Sequence, residues 1–131
     1  MSDEQPVWVS ADAAMAANNS MVAVFGGTFG LRSGEDLRDA LADPREVWRD
    51  TDLDFAAIAA AYIMAFVTRK PFRSTNEHTA WAVMETFVVL NGRSMRADFS
   101  KAWQTIRDAE SGKIDYSAVA AWVRRHIGGA G

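Results

Sequence analysis

The side chains best suited to chemistry lie in one polar loop between two apolar segments of the chain. The loop spans residues 69–80 and is interrupted by Pro71. Segment 55–67, before the loop, has no charged residue, and segment 81–90, after it, is mostly apolar. A polar loop held between two buried elements is a common place for a rigid scaffold to present functional groups. The titratable candidates in this loop are Lys70, Glu77 and His78.

Each of these candidates has a catalytic and a structural interpretation. Lys70 could act as a general base only if burial or a nearby cation, such as Arg69 or Arg73, lowered its pKa far below the usual value. Otherwise it is an ordinary cation at a helix C-terminus. His78 could be a base, or it could be a packed or surface histidine. Glu77 places a carboxylate at the start of the next helix, which favours the helix and repels anions.

We expect no metal site in this chain, which has no cysteine. The nearest carboxylate to Glu77 and His78 along the apolar segment is Glu85. About two helical turns, or roughly 10 Å, separate it from them, which is too far for one shared ion.

The loop resembles the signature of the Fic/Doc family, and in particular that of the shorter death-on-curing (Doc) toxins. That signature reads roughly His-Pro-Phe-x-Asp-Gly-Asn-Lys-Arg-Thr-Ala. The matching positions are Pro71, Phe72, Asn76, Thr79 and Ala80. The family's chemistry is carried by positions that differ here: Lys70 stands for the catalytic His, Ser74 for the acid, Thr75 for the small residue, and Glu77 and His78 for the phosphate-binding Lys and Arg.

The resemblance extends over nearly the whole chain. Segment 25–32 looks like the flap that lies beside the family's active site, with Phe25, Gly26, Gly27, Phe29, Gly30 and Leu31. Its glycines could instead be a helix stop and a turn. A nucleotide P-loop is disfavoured, because no Gly-Lys-Ser/Thr follows and no strand precedes. Further similar segments are 37–44, 90–92, 112–115 and 120–122.

The resemblance implies a single all-α domain over residues 1–131, a Fic/Doc-like helical bundle with two central buried helices and a short flap. It also implies two classes of function. Doc toxins transfer phosphate from ATP to elongation factor Tu, and longer Fic relatives transfer nucleotidyl groups, so an enzyme would use ATP with magnesium. The replaced residues favour a non-catalytic relative that binds protein. The alternative is an active kinase or nucleotidyltransferase that modifies a translation factor with an altered catalytic set.

A protein partner is expected at the flap. In the Doc family an antitoxin segment folds as a helix into a groove beside the flap, which implies an apolar strip with a polar rim. Here that strip would contain Phe25, Phe29, Leu31 and Phe72. The other interpretation is that these side chains simply close the core.

Composition supports a globular protein and disfavours some partners. The 131 residues are 49% hydrophobic and 24% charged, which is ordinary for a globular domain. The net charge of −3 provides no basic field for nucleic acid. No signal peptide is visible, and segment 55–67 is too short to span a bilayer. We therefore expect a cytoplasmic protein that binds neither nucleic acid nor membrane.

Hydrophobic periodicity and capping residues predict only helices. The first is capped by Ser10 and ends near Phe25, and the second runs from 34 to 42 and is terminated by Pro44. A helix over 53–68 is capped by Thr51 or Asp52. The helix over 76–90 follows a capping box of Ser74 and Glu77. The last two helices are capped by Asp98 and Asp115.

Overall fold

The computed structural model describes residues 5–50 and 54–128. This part of the chain contains six α-helices and two very short strands. The all-α prediction is confirmed at this level. In chain order the elements are α1 (Ala11–Phe25), α2 (Gly34–Asp50), α3 (Phe55–Arg69), α4 (Asn76–Leu90), β1 (Ser94–Met95), α5 (Phe99–Glu110), α6 (Tyr116–His126) and β2 (Ile127–Gly128).

Helix α3 is the centre of the bundle. It packs against α2, α4, α5 and α6, while α1 packs mainly against α4. Its alanines let the neighbouring helices approach closely, and Tyr62 and Phe66 are fully buried among them. The Tyr62 hydroxyl accepts a hydrogen bond from the Val9 backbone N–H at 3.1 Å. Burial raises the pKa of Tyr62 to about 12.

Side-chain caps define the start of most helices. Ser10, Asp98 and Asp115 each accept a hydrogen bond from the backbone N–H three residues later, as predicted. Ser33 does the same for Asp36 at the start of α2. Such a cap typically stabilises a helix by about 1 kcal/mol. Local sequence therefore fixes these four helix starts.

Two predicted helix boundaries are wrong. Helix α2 does not end at Pro44 but continues through it to Asp50. Pro44 is buried, and Val47 and Trp48 in the following turn pack against the core, so tertiary packing outweighs the hydrogen bond that proline removes. The predicted caps of α3, Thr51 and Asp52, lie outside the described residues. Asp54 is the cap, and its carboxylate accepts from the Ala57 N–H.

A short β ladder was not predicted. Strands β1 and β2 pair antiparallel, with Ser94 opposite Gly128 and Met95 opposite Ile127. Two-residue strands leave no alternating pattern to detect in the sequence. The ladder joins the segment after α4 to the end of α6.

No helix in residues 5–50 and 54–128 combines the length and the apolarity needed to cross a membrane.

Candidate functional site

The loop between α3 and α4 keeps an unusual backbone shape. Lys70, which ends α3, and Thr75, which precedes α4, both lie in the left-handed region, with φ of 47° and 56°. A β-branched residue such as Thr75 rarely adopts this conformation. Asn76 fixes the turn between them. Its Oδ1 accepts from the Phe72 N–H at 3.0 Å, and its Nδ2 donates to the Phe72 carbonyl at 2.9 Å.

Pro71 and Phe72 anchor the loop in the core. Both are buried, and Phe72 is only 2% exposed, with its ring 6.4 Å from that of Phe66. The expectation that Phe72 belongs to an exposed apolar strip is therefore wrong. The Pro71 carbonyl accepts from the backbone N–H groups of Arg32 and Ser33 at 2.8 and 3.1 Å. Burial of the Phe72 ring draws the loop into the core at this point.

The predicted capping box of Ser74 and Glu77 is wrong. Ser74 Oγ accepts from the Thr28 N–H of the flap at 2.9 Å, instead of from α4. The residue at the cap position is Thr75, and its side chain makes no capping hydrogen bond. Its left-handed backbone turns the side chain away from the geometry that a cap requires. The start of α4 is thus left without a side-chain acceptor and remains a place where an anion is electrostatically favoured.

The flap, residues 25–32, is held tightly against the loop. The Arg73 N–H donates to the Gly30 carbonyl at 3.1 Å, and Leu31 forms an isolated antiparallel bridge with Phe72. Gly27 approaches Ser74 so closely that a Cβ on Gly27 would lie 2.5 Å from the Ser74 Cβ. Gly27 also has a φ of 113°, so this position requires glycine for two reasons. Gly26 and Gly30 also have positive φ, but a Cβ would meet nothing at Gly26 and only Arg73 Nε, at 4.0 Å, at Gly30.

Two residues that hold the loop in place were not predicted from the sequence. Asn18 on α1 is 1% exposed and donates through Nδ2 to the Ser74 carbonyl at 3.0 Å and to Thr79 Oγ1 at 3.1 Å. Arg32 donates through Nε to the Lys70 carbonyl at 2.7 Å and through Nη2 to the Arg69 carbonyl at 2.8 Å. Ala14, Asn18 and Val22 are the buried residues of α1. Their spacing of four residues was the signal that Asn18 faces inward.

The Lys70 ammonium is engaged in an ion pair. Its Nζ lies 2.8 Å from Oε2 of Glu110, at the end of α5. In its protonated form Glu77 also donates a hydrogen bond to Glu110. The pKa of Glu77 is raised, first by burial and then by this bond, whereas the hydrogen bond from Lys70 is the main cause that lowers the pKa of Glu110. Of the two carboxyls, Glu77 therefore takes up a proton first as the pH falls.

His78 lies in an aromatic cluster. Its ring centroid is 4.1 Å from that of Phe25, 4.6 Å from that of Phe99 and 5.0 Å from that of Trp103. Its Nδ1 is buried without a hydrogen-bond partner among the described residues. Burial lowers the pKa of His78, since the cluster disfavours the charged ring. The packed interpretation of His78 accounts for these contacts.

Apolar side chains at the end of α1 and in the flap face solvent. Val24, Phe25 and Phe29 are 70%, 52% and 55% exposed. Leu31 is half-buried. The predicted apolar strip therefore keeps Phe25 and Phe29 as its exposed members and loses Phe72.

The assembled site has a phosphate-compatible backbone but an acidic set of side chains. Glu77 and Glu110 lie beside the start of α4, and Lys70 is paired with Glu110. In residues 5–50 and 54–128, no group of three or more His, Asp or Glu side chains could hold a metal ion. No family model matches the chain, and no curated protein matches it.

Proposed function

We propose that the chain is a Doc-like relative that acts in the cytoplasm by binding a protein through its flap and lacks ordinary ATP-dependent transferase activity. The observation that carries this proposal is the exposure of Phe25 and Phe29 on a flap held in a fixed position. Side chains of this size are costly to leave in water. An amphipathic helix, of the kind that an antitoxin supplies in the Doc family, would cover them.

The arrangement of charges supports the absence of ordinary transferase activity. ATP would bring several negative charges to the start of α4, where Glu77 and Glu110 already lie. Lys70 is held by Glu110 and is not available as a free base. His78 is packed between aromatic rings, with no hydrogen bond at Nδ1 to orient it as a base. A base usually needs such an orienting contact.

One observation favours the alternative, an active kinase or nucleotidyltransferase acting on a translation factor. The left-handed Thr75 and the Asn76 turn leave α4 without a side-chain cap. A helix start of this kind is suited to bind phosphate. In this alternative, ATP with magnesium is the cofactor, and Lys70 or His78 carries the catalytic role.

Calorimetry with ATP, with and without magnesium, separates the two proposals. We expect no saturable heat, and no transfer of labelled phosphate or nucleotide to elongation factor Tu. Transfer that disappears in Lys70→Ala or His78→Ala would refute the non-catalytic proposal. The combined variant Lys70→His, Ser74→Asp, Thr75→Gly, Glu77→Lys and His78→Arg restores the family residues, and we expect it to bind ATP more tightly than the wild-type protein.

The binding proposal is tested by selecting helical peptides from a displayed amphipathic library. We expect selected peptides to lose affinity for Phe29→Ser and to keep it for Val89→Ser. Val89 is a matched control because it is 60% exposed and lies near the far end of α4. Phe29 is preferable to Phe25, because Phe25 also stacks on His78. Peptides that ignore Phe29→Ser would place the binding surface elsewhere.

A further inference from the structure

A cleft exposes one strip of the otherwise covered helix α3. Met64 is the one half-exposed residue between Ala56 and Val67. The cleft lies over α3, between α2 and α6. Its walls are formed by Asp43, Val47, Ala61, Met64, Ala65, Thr68, Arg69 and Tyr116.

The size and lining of the cleft suit a small organic ligand. Its volume is about 360 Å³, at the lower end of the range for small-molecule sites. Val47, Ala61 and Met64 give it an apolar floor. The Tyr116 hydroxyl is already bonded to the Ala57 carbonyl at 2.6 Å. Tyr116 therefore offers its ring, rather than its hydroxyl, to a ligand.

One end of the cleft is charged: Asp43 and Arg69 line it, and a second carboxylate, Asp39, lies just beyond the lining. Asp43 receives two hydrogen bonds from Arg69, from Nε at 2.8 Å and from Nη2 at 3.1 Å. Asp39 lies 3.7 Å from the remaining terminal nitrogen of Arg69. The single guanidinium thus faces two carboxylates, which leaves one negative charge in excess.

The hydrogen-bonding capacity at this end also favours a cation. The guanidinium donates hydrogen bonds from two of its nitrogens to Asp43, and its third nitrogen makes only a longer ion-pair contact with Asp39. Each carboxylate oxygen can accept about two hydrogen bonds, so Asp43 and Asp39 retain free acceptor positions. An anion at Arg69 would be repelled by both carboxylates, whereas an ammonium ion can add to the existing cluster.

We propose that this cleft binds a small organic ammonium ion, with its apolar body against Val47, Ala61 and Met64 and its charged head at Asp43. Asp39, just beyond the lining, adds a second negative charge near this end. No flap residue lines the cleft, and the site does not depend on the protein-binding function proposed above. Both ends of the ligand are recognised, so charge and apolar length each contribute to affinity.

Three probes of equal chain length test the role of charge in the wild-type protein. Hexylammonium, hexanol and hexanoate are titrated into ¹⁵N-labelled protein, and amide shifts are followed by NMR. We expect saturable shifts around Ala61, Met64 and Thr68 with hexylammonium, weakened by added salt. Hexanol that binds equally well, hexanoate that binds better, or an absence of shifts in this cleft would each overturn the proposal.

Variants then identify the acidic anchor. We expect Asp43→Asn to bind hexylammonium roughly fivefold more weakly, the effect of one half-exposed ion pair. Arg69→Gln, which frees both carboxylates, is expected to bind it more tightly. Glu46→Gln is the matched control, because Glu46 lies on the same helix and pairs with Arg49 outside the cleft. Equal affinity of Asp43→Asn and the control, with both variants folded by circular dichroism, would contradict the assignment.

Discussion

Helices α4 and α5 begin in contrasting ways. At the start of α5, Asp98 has an extended backbone and caps the Lys101 N–H. At the start of α4, Thr75 is left-handed and makes no cap. Helix α4 is positioned instead by contacts of the loop before it. Asn18 of α1 and the flap both bind Ser74, and Phe72 is buried in the core.

The difference shows where local sequence is sufficient and where it is not. Asp98 and the residues after it specify the start of α5 by themselves. The start of α4 is specified by contacts with residues more than forty positions away, such as those from Thr28 to Ser74 and from Asn18 to Thr79. Strained backbone held by such contacts is often found at functional sites. The following substitutions test this contrast, beginning with the largest expected effect.

Phe72→Ala is expected to have the largest effect. Removing a fully buried phenylalanine costs about 3–5 kcal/mol of unfolding free energy, and Phe72 is also the residue that draws the loop into the core. The matched substitution is Phe99→Ala at the first position of α5, where the side chain is only half-buried. We expect a smaller loss there, measured by urea denaturation. Equal losses would mean that the loop before α4 is no more dependent on the core than the start of α5.

Asn76→Ala is expected to come next. It removes both side-chain hydrogen bonds to Phe72 and leaves partly buried backbone groups unsatisfied, at a cost of about 1–3 kcal/mol. Asp98→Ala removes an exposed cap and should cost about 1 kcal/mol. Both variants are compared by denaturant unfolding. A larger loss in Asp98→Ala than in Asn76→Ala would reverse the contrast between the two helices.

Thr75→Gly is expected to stabilise the protein slightly. A left-handed backbone costs a non-glycine residue roughly 1–2 kcal/mol, and glycine relieves this cost while adding some unfolded-state entropy. We therefore expect a gain of about 0.5–1 kcal/mol. Asp98→Gly, at an extended cap position, has no such strain to relieve and should not stabilise. The two changes in thermal midpoint should thus have opposite signs, and a loss in Thr75→Gly would indicate that Thr75 is not strained.

The sequence predicts the helices well where capping and periodicity are local. Ser10, Asp98 and Asp115 cap as expected because each needs only the N–H three residues away. Ser74 also has capping chemistry, but the flap lies close enough for Thr28 to use the same oxygen. Pro44 has the chemistry of a helix breaker, and burial overrides it. These outcomes depend on tertiary neighbours, which one-dimensional patterns do not contain.

The candidate site shows the same division. The sequence identifies Lys70, Glu77 and His78 as the titratable candidates, but it does not show which residues surround them. Neither Glu110 nor Phe99 is close to the loop in sequence, yet these residues engage Lys70 and His78. Whether a titratable side chain is free is decided by such distant residues.

The smallest expected effect concerns the pH dependence of the two helix starts. Burial lowers the pKa of His78 in the folded protein below its ordinary value of 6.5. The unfolded chain therefore binds the proton first as the pH falls, and the stability conferred by neutral His78 is present above pH 6.5 and is lost as the pH falls through the folded pKa. Asp98 titrates in a more acidic pH range. Its hydrogen bond with Ser100 lowers its pKa from 3.8, so its contribution to stability is lost only in stronger acid.

His78→Phe isolates this contribution, because phenylalanine can occupy the same place between Phe25 and Phe99 without titrating. We expect the unfolding free energy of the wild-type protein to fall relative to that of His78→Phe as the pH is lowered through 6.5 and on to the folded pKa of His78. Groups common to both proteins, including Glu77, cancel in this difference to the extent that they do not interact with residue 78. Parallel curves would show that His78 titrates alike in the folded and unfolded chains. A relative rise of the wild-type curve in acid would mean that the stacked rings favour the imidazolium, as in a cation–π contact, more strongly than burial opposes it.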